Sequence, residues 1–123
     1  MSDASEWGMR NVAAELVDFY DLLVALVASL PIPISLPSGP AYDSKEIVPA
    51  VRRVVEIIND QPVSDEVKAG VWGVCLHWLS AAEMFTLLTA RGWDEIRAQQ
   101  ALINLTAASV ALEGLEEVLR EQE

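Results

Sequence analysis

The chain is predicted to fold as an all-α, four-helix bundle-like domain with three long helices, one short helix and a proline-rich crossover between the first and second. Three observations carry this. Apolar residues recur with the helical period through most of the chain. Four of the six prolines fall between Pro31 and Pro40. Outside that stretch no run alternates apolar and polar residues in the period-two manner of a strand, and there is no internal repeat.

The first helix spans about 5–30. No proline interrupts Ser5 to Leu30, and Asn11, Glu15 and Asp18 lie opposite Val12, Leu16, Phe19 and Leu23. Its second half, Leu22 to Ala28, has no polar face, which predicts protein on every side of it. The strap 31–43 follows, where proline forbids helix and holds extended or polyproline geometry. Ile32, Ile34 and Leu36 alternate there with proline and serine, and Tyr42 and the prolines are expected to dock on the bundle. The short helix covers about 46–60, starting between Ser44 and Pro49 because proline suits a first turn; Ile47, Val51, Val54, Val55 and Ile58 form its apolar stripe. Ser64 is an N-cap candidate for a helix over 65–91, with Asp65 and Glu66 at the positive end of its dipole. Gly92 suits the C-terminal stop, and Asp94 caps a last helix over 94–121.

The 123 residues, 52% of them apolar, make one domain, 1–123, with one core. Eight Lys and Arg against 19 Asp and Glu leave a net charge of −11, which argues against direct nucleic-acid binding and suits either solubility or a basic protein surface. Pro37 to Pro40 meets a Pro-x-x-Pro pattern, a weak signal for recognition by aromatic grooves. The acidic start lacks the basic, then apolar, order of an export signal, and the single Cys75 offers no internal disulfide; a cytoplasmic location is expected. No transmembrane segment is expected either: Leu22 to Ala28 is too short, and Val71 to Ala90 carries His77, Ser80, Glu83, Thr86 and Thr89.

The third helix concentrates the candidate site residues. Gly70, Gly73, His77, Ala81, Met84 and Leu88 share one side, and two interior glycines predict a close helix contact at Gly70 and Gly73. Cys75, Trp78 and Phe85 form a second side; Trp72, Leu76 and Leu79 form a third with Glu83. A helix apolar almost all round is either central or exposes a strip to a partner. The positions three and four away from His77 are Gly73, Val74, Ser80 and Ala81, none a usual metal ligand, and Cys75 points about 200° away around the axis. A buried, hydrogen-bonded core histidine is therefore expected, and Glu83 is expected in solvent or paired with an arginine. No Glu-x-x-His pair, phosphate-binding loop, nucleophile elbow or Cys-x-x-Cys motif occurs, so no catalytic residue, metal or cofactor is assigned.

Two function classes remain. The first is a homodimeric acidic protein acting by binding another protein, because its apolar helix surfaces exceed what four helices hide. The second is a binding protein or enzyme for an apolar small molecule, with an inter-helical pocket under the strap. Trp72 or Trp78, Met84 and Phe85 would line it, and His77 and Glu83 would be its polar handles.

Overall fold

The computed structural model describes residues 3–38 and 44–121. It is an all-α bundle of four helices: α1 Asp3–Ala28, α2 Ser44–Ile57, α3 Asp65–Arg91 and α4 Glu95–Glu121, with one 3₁₀ turn, Ile58–Asp60, closing α2. Residues 39–43 of the strap, with Pro40 and Tyr42, lie outside the described residues.

Helix ends follow local chemistry. α1 stops two residues short of the expected Leu30, since Pro31 disfavours helical geometry at the residue before it. The last turn tightens instead: the Ser29 and Leu30 amides donate to Leu26 and Val27 three residues back. α2 begins at Ser44, so Pro49 sits in its second turn rather than its first. The ring is exposed, and the lost amide removes one bond near the helix start. Ser64 caps α3 by accepting from the Val67 amide at 3.2 Å. Asp94 Oδ1 caps α4 by accepting from the Ile96 and Arg97 amides at 2.9 and 3.3 Å. Between them Gly92 adopts φ 93°, open to glycine at little cost, and its amide donates to the Leu88 carbonyl.

α3 is the central helix. It packs against α1, α2 and α4, whereas α1 and α2 do not approach each other among the described residues. Its buried arc includes Val67, Val71, Val74, Cys75, Trp78, Ala81 and Ala82. Among the described residues α3 alone has the length and apolarity of a bilayer span, and that arc is the part covered by the other helices. α3 and α4 form an antiparallel hairpin: Gly70 near the start of one meets Leu115 near the end of the other, where an added Cβ would lie 2.8 Å from Leu115 Cδ1. The contact foreseen at Gly70 is thus with a side chain. Gly73 differs from expectation, since a Cβ there would meet nothing within 4 Å. The tight glycine that the sequence did not single out is Gly8, which is buried beneath the Trp93 indole.

Leu22 and Ala25 are exposed, so the second half of α1 is not enclosed on every side. Among the described helices α1 packs against α3 and α4, and Leu23, Leu26 and Val27 are the buried residues of its second half. The strap returns alongside α1: the Ile34 amide donates to the Val27 carbonyl at 3.0 Å, Leu36 is buried, and the Tyr20 hydroxyl donates to the Pro37 carbonyl at 2.5 Å. Gln61 ties it to the α2–α3 turn. This buried amide accepts from the Ile32 amide at 3.0 Å and donates to the Ile32 carbonyl at 2.6 Å. Replacing it in Gln61→Leu leaves both Ile32 groups unpartnered, and a loss of about 2 kcal/mol in urea unfolding, with unchanged helical circular dichroism, is the expected outcome.

Candidate functional site

The residues singled out on α3 separate into three surroundings. Trp78 and Phe85 face inward, toward the gap between α1 and α2. There they line a cavity of about 150 Å³ with Leu16, Tyr20, Ile47 and Ala82. It lies where α1 and α2 flank α3 without a close backbone approach to each other among the described residues. Its polar groups are committed inside the fold: Trp78 Nε1 donates to the Leu16 carbonyl at 3.0 Å, Tyr20 to Pro37, and Thr86 Oγ1 to the Ala82 carbonyl at 3.0 Å. The Tyr20 and Trp78 rings stack tilted, 5.6 Å between centroids. The wall is thus apolar in effect, and contact with it is a matter of shape.

Trp72 and Glu83 lie elsewhere. Both are exposed, Trp72 beside Ile58, Asn59, Asp65 and Lys68 at the α2–α3 turn, and neither lines the cavity. His77 and Met84 are half-buried and also away from it. The buried, hydrogen-bonded histidine expected from the sequence is not found: His77 makes no hydrogen bond to any described residue. Its neighbours one turn away, Gly73 and Ala81, carry nothing to cover or bond it, and the Ser80 hydroxyl turns back to the Leu76 carbonyl at 3.0 Å. The two polar handles imagined for an inter-helical pocket therefore do not reach it. Among the described residues no three His, Cys, Asp or Glu side chains come together.

The third surrounding is the outer face of the α3–α4 hairpin, on the side away from α1. At about 100° per residue, Gly73, Ser80, Met84 and Leu87 of α3 share it with Ile96, Ile103, Ala107, Val110 and Gly114 of α4. Ile96, Ile103 and Val110 are 72%, 66% and 64% exposed. The seven-residue spacing of Ile96, Ile103 and Val110 is the sequence signal that marks this row. Between Ile96 and Glu113 α4 carries one charge, Arg97, which pairs with Asp94 at 3.5 Å.

Comparisons with protein-family models, with curated proteins and with solved structures find no match to this chain.

Cys75, within the core of α3, is buried, and burial pushes its thiol up from 9.0 to about 12. The unfolded chain ionises near 9.0 while the folded chain holds the proton. Its contribution to stability is therefore full below that pH and falls as pH rises from 9.0 toward 12, by about 1.4 kcal/mol per unit. Urea titrations between pH 8 and 11 should show this slope in the native chain and a shallower one in Cys75→Ala.

Proposed function

We propose that this chain is a homodimeric protein-interaction module whose self-association surface is the outer face of the α3–α4 hairpin. The observation that carries the reading is the row Ile96, Ile103 and Val110, left at 72%, 66% and 64% exposure by the chain's own fold. Leaving such side chains in water forgoes about 1.5–3 kcal/mol each against full burial. A second copy of the same face supplies the missing apolar neighbour. The surplus of acidic residues on the rest of the surface keeps such an assembly soluble and offers a basic partner a complementary surface. Sedimentation velocity at tens of micromolar should give twice the 13.4 kDa chain mass. Ile103→Asp should sediment as a monomer with unchanged helical circular dichroism. A wild-type monomer at that concentration overturns the reading.

A second reading, an apolar small-molecule site, is favoured by the cavity of about 150 Å³ floored by Trp78, Ala82 and Phe85. That volume suits one aromatic ring or a short alkyl chain. Toluene should raise the melting temperature of the native chain and leave Ala82→Leu, whose added methyls occupy the space, unaffected; equal responses in both remove this reading.

A further inference from the structure

We infer that the partner on the outer face is a second copy lying antiparallel, with the two α4 helices crossing about a two-fold axis at the level of Leu105. The inference rests on the self-association reading and gives it a register. Along the exposed side of α4 the large residues Ile96, Ile103 and Val110 alternate with Gln100, Ala107 and Gly114, each four residues after a large one. In a parallel pair, each layer meets its own kind: isoleucine on isoleucine, then glycine on glycine, which crowds one layer and leaves a void in the next. Reversing one copy about Leu105 sets Ile96 against Gly114 of the other chain, Ile103 against Ala107 and Val110 against Gln100. Every layer then pairs a large side chain with a different, less bulky or more flexible one.

Three further observations point the same way. Gly114 lies in a helix interior, is exposed, and has nothing within 4 Å of where its Cβ would be. The fold of one chain gives no reason for a residue that weakens the helix, whereas an isoleucine seated over it does. Charge is the second. Arg91, at the hairpin's turn end, makes no ion pair among the described residues, and Glu117 and Glu121 lie at its opposite end on the same outer side of α4. Antiparallel packing brings Arg91 of each copy toward those carboxylates of the other, while parallel packing gathers the acidic ends together. Area is the third. α3 and α4 have 27 residues each, so the face runs about 40 Å by about 20 Å, near the roughly 800 Å² per partner of a stable interface.

Cysteine pairing reads the register directly. Two single-cysteine chains, Ile96→Cys and Gly114→Cys, each in a Cys75→Ala background, are oxidised separately and as an equimolar mixture. The antiparallel register predicts a covalent heterodimer in the mixture and little covalent dimer from either chain alone, because identical positions stand about 27 Å apart along the axis. Homodimer cross-links from the separate chains overturn it in favour of parallel packing. A sedimenting wild-type dimer that gives no cross-link in any of the three reactions overturns the register while leaving self-association standing, and a wild-type monomer removes both. Gly114→Leu supplies a second readout: it should raise the dimer dissociation constant by at least roughly tenfold while the monomer's helical signal holds or grows, and an undiminished dimer counts against the register.

Discussion

The indole of Trp78 sets the placement of the elements around it. A buried indole N–H must find an acceptor, and the one within reach is the main-chain carbonyl of Leu16, 3.0 Å away in the middle of α1. That bond pins the height and rotation of α1 on α3. One turn further along α1, Tyr20 then stacks on the same indole, and its hydroxyl reaches the Pro37 carbonyl, so the returning strap is held at its far end by the residue that contacts Trp78. Gln61 holds the near end through Ile32. Two side chains from different parts of the chain thus fix a segment that has few hydrogen bonds of its own.

The consequences spread to both sides of α3. On the inner side α1 and α2 both flank α3, with no close backbone approach to each other among the described residues. The cavity over Trp78, Ala82 and Phe85 lies there. On the outer side no described element packs over the α3–α4 hairpin. The hairpin joins α3 to α4 by three residues, which keeps the two helices side by side. One face of α4 packs on α1 and α3 through Ala98, Ala101, Leu105 and Ala108, and the other carries Ile96, Ile103 and Val110 into solvent. An apolar inner face and a row of exposed apolar residues on the outer face of one helix are the physical basis of the self-association proposed above.

Recognition through such a face depends on its shape more than on its charge. The charged groups of the hairpin gather near its ends, leaving the middle of the face apolar and finely stepped between isoleucine and glycine. In the proposed dimer the orientation follows from which steps fit, with the end charges favouring the same answer.

The all-α class and the positions of Ser64, Gly92 and Asp94 at helix ends were legible in the sequence. They depend on periodicity, capping oxygens and a positive φ, each settled within a few neighbouring residues. Gln61 was not legible as a tie, because its partner Ile32 is 29 residues away and a glutamine after a helix looks like any turn residue. His77 and Glu83 were offered as polar handles for a pocket lined by Trp78 and Phe85 although they lie on other sides of the same helix, and only the placement of α1, α2 and α4 decided which of them faced a cavity, a neighbour or water. By itself the sequence determined where helices start, stop and turn; tertiary packing alone decided which apolar face of each became core, since that choice is made by surfaces meeting across long stretches of chain.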